Sequence, residues 1–230
     1  MPILYVVGTP IGNLEDISVR ALRVLREVGL IAAEDTRRTR RLLSAYDIDT
    51  PRTSYHEHSN KAKLNQLLGH LEREDVALVS EAGMPGLSDP GYDLVVAAID
   101  RGICVVPVPG ASAVITALVV SGLPTDQFVY VGFLPRHKGQ RQRLLVSMCD
   151  ESRTIVAFEA PHRLTEALID IGEILGNRRV SVCRELTKVH EEIFRGTVSQ
   201  AREHFTQPRG EFSLVIEGKT RAWVKSQGRS

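Results

Sequence analysis

The sequence is short of net charge and of long apolar runs. Its 230 residues include 29 basic and 28 acidic side chains, so the formal net charge is +1 and the chain as a whole is no polycation. No apolar run approaches the ~18 residues that a membrane-spanning helix needs, and the N-terminus has no basic region of the kind that opens a signal peptide. We therefore expect a cytoplasmic globular protein with no membrane partner.

Cysteine is also scarce. The odd number and wide spacing of Cys104, Cys149 and Cys183 argue against a disulfide framework or a zinc site. We expect these thiols to be small buried apolar side chains in a reducing compartment. The run His56-Glu57-His58 has no third ligand at a recognisable spacing, so no metal is expected there either.

Two common nucleotide-binding motifs are missing. The sequence contains neither GxGxxG nor GxxxxGK followed by serine or threonine. It therefore supports neither a dinucleotide-binding Rossmann site nor a P-loop NTPase, and any ligand must be held by other loops.

Hydrophobic periodicity predicts short strands that alternate with helices over residues 3–120, joined by loops rich in glycine and proline. This pattern is typical of a parallel α/β sheet. The alternation continues further along the chain, but some connections there are too short for crossovers, which indicates a mixed sheet. We predict an α/β fold with an N-terminal parallel domain over 1–124, a C-terminal mixed α/β domain over 125–218 and a flexible basic tail over 219–230.

The most distinctive stretch is the loop at residues 81–91, which follows the buried strand pattern of residues 76–79. Its three glycines and two prolines fix backbone groups at angles suited to a ligand, and Glu81, Ser88 and Asp89 add polar side chains. Taken alone, the stretch fits an ordinary surface turn equally well. Similar segments end several other predicted strands, and open α/β sheets bind ligands at those carboxyl ends. The pattern therefore favours a small-ligand site.

Positive charge is concentrated at residues 37–41 and 136–143. Solvated helix faces explain such runs about as often as function does. On an otherwise neutral chain, two clusters also suit an anionic polymer, because phosphate contacts supply most of the non-specific affinity for nucleic acids.

Several motifs together resemble one family. They lie at residues 8–14, 33–37, 55–58, 88–91, 109–113, 121–125, 132–135, 161–163, 184–188 and 210–212. On these motifs the chain resembles, over residues 3–218, the bacterial small-subunit ribosomal RNA 2′-O-methyltransferases (RsmI type) of the tetrapyrrole methylase superfamily. The segments around Ser88 and Ser112 recur across that superfamily, whereas residues 8–14, 34–37 and 184–188 point to its ribosomal branch.

The resemblance implies a two-domain tetrapyrrole-methylase-like fold, a homodimer without a metal, and S-adenosyl-L-methionine bound in the cleft between the domains. It further implies methylation of a cytidine ribose in the decoding region of 16S rRNA in the small ribosomal subunit. The implied cofactor-binding residues are Pro10, Glu81, Ala82, Gly83, Met84, Pro85, Ser88, Ser112, Ala113, Phe133, Leu134, Glu159 and Pro161. The implied RNA-binding residues are Arg37, Arg38, Arg40, Arg41, His56, His58, Arg136, Lys138, Arg141, Arg163 and Arg184.

The chain departs from the family pattern at three positions. Glu81 and Met84 stand where aspartate and threonine are common, and Ala160 replaces a common serine. Glutamate keeps the acceptor one methylene further out. Methionine removes a hydroxyl, so only backbone contacts at that position are expected to remain.

Methyl transfer to a ribose hydroxyl is an in-line displacement that benefits from a base or from a group that stabilises the developing alkoxide. Glu34 or Asp35 is the candidate base. Lys188 or Arg37 is the candidate for holding phosphate or stabilising the oxyanion. The spacing of residues 34–37 equally fits a helix N-terminal cap with acidic residues in the first turn.

Two other functions are compatible with the fold. A methyltransferase of the same fold acting on a tetrapyrrole is disfavoured by the two arginine clusters and by the motif at residues 34–37. A catalytically silent ribosome-binding factor is disfavoured by the intact loops at the strand ends, which such a factor does not need. Cofactor binding separates the silent factor from both enzymes, and the substrate separates the two enzymes from each other.

Overall fold

A computed structural model describes residues 2–219, so the predicted tail, apart from Lys219, lies outside the described residues. The chain divides into two compact units, Met1–Ser112 and Ala113–Ser230. The sequence placed this boundary at 124/125. The difference is one helix, Ala113–Val120, which packs against strands of the second unit.

The first unit is a five-stranded sheet with helices between the strands. Its order is β3-β2-β4-β1-β5, and every neighbouring pair is parallel, as predicted. The elements are β1 Ile3–Val7, α1 Val19–Glu27, β2 Leu30–Ala33, α2 Thr36–Ala45, β3 Arg52–Ser54, α3 Lys61–His70, β4 Val76–Val79, α4 Tyr92–Asp100 and β5 Cys104–Val108.

Alternate residues of the buried strands face opposite sides of this sheet. In β2, Ile31 and Ala33 pack with α1 and α2, whereas Leu30 and Ala32 pack with α3 and α4. Strand β4 divides in the same way. The two apolar layers therefore fix the register of the strands, and with it the edge from which the loops emerge.

The helices of this unit begin at side-chain caps that the sequence supplies. Ser18 Oγ accepts from Ala21 N at 3.1 Å at the start of α1, and Asn60 Oδ1 accepts from Lys63 N at 2.9 Å at the start of α3. These caps satisfy backbone donors that have no partner inside the helix.

The second unit contains a mixed sheet of order β6-β7-β10-β8-β9. Strands β6 and β7 are parallel, and the other neighbouring pairs are antiparallel, which confirms the predicted mixed sheet. Since β10 runs against both β7 and β8, the carboxyl ends of β6, β7 and β8 lie at one edge. The elements are α5 Ala113–Val120, β6 Phe128–Phe133, α6 Lys138–Ser147, β7 Thr154–Glu159, α7 Pro161–Ile174, β8 Arg179–Arg184, β9 Glu192–Thr197, α8 Val198–His204 and β10 Phe212–Ile216.

Two details differ from the sequence prediction. Residues 51–58, whose sequence has no clear strand pattern, contain the short strand β3. Of the three thiols, Cys183 is buried, but Cys104 is exposed because β5 is an edge strand. The prediction of a buried side chain is therefore wrong for Cys104. Within residues 2–219, no helix is long and apolar enough to cross a membrane.

Candidate functional site

The loops after β1, β4 and β5 are joined by backbone hydrogen bonds at the carboxyl edge of the first sheet. Thr9 N donates to Gly83 O at 2.9 Å, and Gly83 N donates to Thr9 O at 3.0 Å. Gly8 N donates to Val108 O at 3.0 Å. The first loop and the glycine-rich loop are thus held side by side, as expected of a ligand-binding edge.

The loops after β1 and β5 approach each other so closely that residue 8 must be a glycine. A Cβ built on Gly8 would lie 2.7 Å from Gly110 Cα and 2.7 Å from the sulfur of Met84. The side chain of Met84 therefore packs over Gly8, which gives this departure from the family pattern a packing role. Residues 82, 109 and 110 of these loops are exposed.

The glycine-rich loop holds several residues in left-handed conformations. Gly83 and Gly86 both have φ of 81°, and Gly91 has φ of 140°. Ser88 has φ of 64°, a region that residues with a Cβ rarely adopt. Such strain is stored at sites where the surrounding structure fixes the backbone, and Ser88 is one of the predicted cofactor-binding residues.

Glu34 links the end of β2 to this loop. Its Oε2 accepts from Glu81 N at 3.1 Å, and the side chain of Glu81 forms an ion pair with Arg38 at 2.7 Å. Partial burial raises the pKa of Glu34, and the nearby charge of Glu81 adds to this against the opposing hydrogen bond from the Glu81 backbone. A carboxylate with a raised pKa is a better proton acceptor at neutral pH than an ordinary one.

Asp89 belongs to the same acidic group. Burial raises its pKa to about 6, and the charge of Glu34 contributes further, while a hydrogen bond from Ser80 opposes the shift. The sequence marked Asp89 as a polar loop residue without giving it a role. The local sequence does not reveal that Asp89 lies near Glu34, which follows β2.

This shift has a measurable consequence for stability. The folded-state pKa of Asp89 lies above its unfolded value, so its ionisation weakens the fold as pH rises from about 4 to about 6. We expect Asp89→Asn to raise the free energy of unfolding at pH 7.5 by about 1 kcal/mol, after allowance for solvent screening. The gain should vanish as pH falls toward 4, as measured by thermal unfolding of both proteins. A gain independent of pH would contradict the assignment.

Asp35 is the N-terminal cap of α2. Its Oδ1 accepts from Arg37 N at 2.7 Å and from Arg38 N at 3.3 Å. These hydrogen bonds lower the pKa of Asp35, led by the one from Arg37. Asp35 is therefore the helix cap that the spacing of residues 34–37 allowed, and Glu34 is the stronger candidate for the base.

Helix α2 presents its arginines next to a cavity. Arg37, Arg38, Arg40 and Arg41 are all exposed. A cavity of about 130 Å³ lies beside the helix. It is lined by Thr9, Pro10, Leu14, Arg38, Thr39, Arg41, Leu42, Ser80 and Glu81. Predicted cofactor-binding residues (Pro10, Glu81) and predicted RNA-binding residues (Arg38, Arg41) therefore meet around one space.

In the second unit, the predicted cofactor-binding residues lie at the ends of β6 and β7. Phe133 is 55% exposed, but the side chain of Leu134 is in the core and its N donates to Phe158 O at 3.1 Å. Glu159 is buried, and its Oε2 has no hydrogen-bond partner in the part of the chain described. Burial raises the pKa of Glu159 against the opposing influence of Ala160 N and Arg163.

Arg141 does not face solvent, which corrects its prediction as an RNA-binding residue. Its side chain is 1% exposed, and Nε donates to Asp170 Oδ2 at 2.6 Å. In its neighbourhood Arg163 pairs with Glu159 at 2.7 Å and is 12% exposed. The run of basic residues looked like a surface cluster, but the third residue after Lys138 falls on the inner face of α6. Arg136 and Lys138, by contrast, are exposed.

The motif at residues 184–188 is a strained turn held by carboxylates. Glu185 and Thr187 have φ of 50° and 66°. Lys188 Nζ donates to Glu185 Oε1 at 3.0 Å and to Glu211 Oε2 at 2.9 Å. Burial alone would lower the pKa of Lys188, but its bonds to Glu211 and Glu185 outweigh this, and the pKa is raised.

Lys188 is therefore a fixed cation and no proton donor at neutral pH. The sequence did not show that the motif at 210–212 is its partner. Gly210 has φ of 89°, and a Cβ there would meet the side chain of Glu185 at 2.6 Å. Arg184 is tied into the same turn through Arg209 O at 2.7 Å and Glu192 at 3.2 Å.

The remaining predicted residues lie in loops or at the first position of a helix. His56 and His58 are exposed beyond β3, with ring centroids 6.4 Å apart. Ser112 directly precedes α5, Ala113 is the first residue of α5, and Pro161 is the first residue of α7. Among residues 2–219, no three histidine, cysteine or acidic side chains are grouped so that they could hold a metal ion.

The two α/β units and the glycine-rich loop at residues 81–91 point to one class of protein, which comparison with known families identifies. A family profile described as "Tetrapyrrole (Corrin/Porphyrin) Methylases" matches residues 3–202, and the chain belongs to this family. Within it, the chain is of the type represented by relatives named ribosomal RNA small subunit methyltransferase I. The relative from Thermotoga maritima is 53% identical over 94% of this chain and 98% of its own length. Those from Halalkalibacterium halodurans and Bacillus subtilis are 52% and 47% identical, over 94% and 99% of this chain and 75% and 79% of their own lengths.

Solved structures share the fold. A uroporphyrin-III-C-methyltransferase from Thermus thermophilus superposes with a TM-score of 0.66 at 19% identity, over 98% of each chain. The cobalt precorrin-4 methyltransferase CbiF gives a TM-score of 0.66 at 15% identity, over 94% of each chain. These likenesses confirm the predicted two-domain α/β fold and say nothing of the substrate.

Proposed function

We propose that the protein transfers a methyl group from S-adenosyl-L-methionine to the 2′-oxygen of a cytidine ribose in the decoding region of 16S rRNA. The observation that carries this is the half-buried Glu34, held beside the glycine-rich loop and next to the exposed arginines of α2. A proton acceptor and phosphate-binding cations within one unit suit a ribose hydroxyl in a nucleic-acid strand. The names of the relatives support the ribosomal substrate.

The residues of the first unit fit the proposed cofactor. S-adenosyl-L-methionine supplies an electrophilic methyl group on a positively charged sulfur. Glu34 and Asp89 bring two carboxyl groups close together at this edge, which favours a cation. Residues 82 and 110 are exposed next to these loops, where their backbone groups could bind the cofactor. The predicted contacts in the second unit, at Phe133 and Pro161, belong to the same proposal.

The protein groups have separate tasks in this reaction. Glu34 would accept the proton of the ribose 2′-hydroxyl. S-adenosyl-L-methionine, when bound, would supply the methyl group, with its S–C bond broken as the O–C bond forms and S-adenosylhomocysteine as the leaving group. Lys188, fixed by two carboxylates, is the candidate to hold a phosphate or to stabilise developing negative charge. The exposed arginines of α2, with Arg136 and Lys138 of the second unit, bind the RNA backbone. The homodimer is part of the proposal as well.

The test is methyl transfer from labelled S-adenosyl-L-methionine to 30S subunits, free 16S rRNA and a tetrapyrrole precursor, assayed side by side. We expect label on one cytidine ribose of the RNA, located by mapping the modified nucleotide. Label on the tetrapyrrole alone would replace this proposal with the second enzyme function. Cofactor binding without transfer to any of the three would refute the substrate.

A further inference from the structure

The cavity beside α2 has walls that are tied together before any ligand arrives. Tyr46 Oη, beyond the end of α2, donates to Leu14 O at 2.6 Å and so fixes the first loop against the helix. On the other side, the ion pair of Arg38 with Glu81 joins the helix to the glycine-rich loop. The floor is held by Ser80 Oγ, which donates to Gly83 O at 3.3 Å. The space is therefore preformed.

Its size and lining indicate what it can take. A closed cavity of about 150 Å³ holds a benzene-sized ring, so the 130 Å³ of this space, which is open to solvent on one side, is enough for one flat ring. Pro10, Leu14 and Leu42 supply apolar surface on which a flat ring can rest. Thr39 and Ser80 supply hydroxyl groups at its edge.

The two arginines that line the cavity, Arg38 and Arg41, differ in their ion pairs. Arg38 is neutralised by Glu81 at 2.7 Å, whereas Arg41 forms no ion pair within 4.0 Å among residues 2–219. Arg41 is thus the cation available to a phosphate at the mouth. Arg37 and Arg40, on the same helix, do not line the cavity.

We propose that this cavity takes the pyrimidine ring of one nucleotide of the RNA strand, with Arg41 bound to that nucleotide's phosphate. Glu81 lines the cavity, and its backbone N donates to Glu34, so the proposed proton acceptor is bonded to the cavity wall and we assign the nucleotide in the cavity as the one that is methylated. The ring must leave its stack to enter, as in other enzymes that act on a single nucleotide. This assignment rests on the proposed function.

Two substitutions test the site without disturbing the core. Leu14 is 46% exposed, so Leu14→Trp should fill the mouth of the cavity and leave the fold intact. Arg41→Ala removes the unpaired cation. We expect each to lower kcat/KM for the RNA substrate about tenfold or more, and we expect Arg41→Ala to leave the Kd for S-adenosyl-L-methionine unchanged within about twofold. The matched controls on α1, Val19→Trp and Arg20→Ala, are exposed, do not line the cavity and should behave as the unmodified protein.

A second experiment does not need methyl transfer. A short oligouridylate with one central 4-thiouridine is photocrosslinked to the protein, and the crosslinked peptide is identified by mass spectrometry. We expect crosslinks at residues 9–14 or 38–42 that are lost in Leu14→Trp and are displaced better by oligocytidylate than by oligoadenylate. Crosslinks elsewhere, or equal displacement by both competitors, would overturn the site. If the crosslinks appear as expected and no RNA is methylated, the proposed reaction fails and the nucleotide site stands.

Discussion

Replacing Glu34 by glutamine is expected to lower the rate constant for methyl transfer about 10²–10⁴-fold, with little change in cofactor affinity. The amide removes the proton acceptor. It keeps an oxygen that can accept from Glu81 N, the contact that Glu34 Oε2 makes at 3.1 Å, so the loop should keep its position. Single-turnover transfer from labelled S-adenosyl-L-methionine to 30S subunits measures the chemical step, and calorimetry measures cofactor binding.

The pH profile gives the second readout. Burial raises the pKa of Glu34, and the base form exists only above that pKa. The transfer rate of the unmodified protein should therefore fall as pH drops through it, and this acidic limb should be missing in Glu34→Gln. An unchanged limb in the variant would assign the titration to another group, with Asp89 the first to test.

Asp35→Asn separates the two acids of the motif. Asparagine caps helices as well as aspartate does, so the cap at the start of α2 should survive. If Glu34 is the base, this variant should retain most of the transfer rate. A loss as large as that of Glu34→Gln, with unchanged thermal stability, would instead make Asp35 the proton acceptor.

The second large effect is expected at the buried ion pair of the second unit. Asp170→Ala should lower the free energy of unfolding by about 3–5 kcal/mol, because it removes the buried partner of Arg141 and leaves this buried cation only the exposed Glu166. Arg141 is 1% exposed, and Asp170 also accepts from Gln142 Nε2 at 2.9 Å, so two polar groups lose their acceptor. Circular dichroism during thermal unfolding measures the loss, at about 2–4 °C per kcal/mol for a chain of this size.

Glu166→Ala is the matched control. Glu166 also approaches Arg141, at 3.5 Å, but it is 72% exposed. Its removal should cost less than about 1 kcal/mol, since exposed ion pairs contribute little. Equal effects of the two substitutions would show that Arg141 can reach solvent, and would reopen its role in RNA binding.

The sequence predicted the two sheets well because most of their strands and helices have a recognisable local pattern of apolar residues. Strand β4 follows from the apolar run Val76-Ala77-Leu78-Val79, and helix α4 begins and ends where its periodicity indicates. Strand β3 is not predicted by the sequence because it has only three residues, none of them strongly apolar, and it pairs at the sheet edge. Its assignment depends on a neighbouring strand that the local sequence does not describe.

The site was predicted less completely, because side-chain partners come from distant parts of the chain. The motif at 34–37 was recognised, but which acid caps the helix depends on the direction each side chain takes. Lys188 was singled out without its partner Glu211, which lies on another strand-end loop. Arg141 was misplaced because a run of basic residues in sequence does not reveal which one turns inward on a helix.

The position of β1 in the sheet bears on how the chain is made. It is a central strand, yet both strands that pair with it come much later, and Ile3 N binds Asp75 Oδ1 across a separation of 72 residues. At synthesis rates of 5–20 residues per second, the first strand emerges roughly 4–14 s before its first neighbour. During that interval an apolar segment with free backbone donors is exposed at the ribosome, and the first unit can close only after β4 and β5 have appeared.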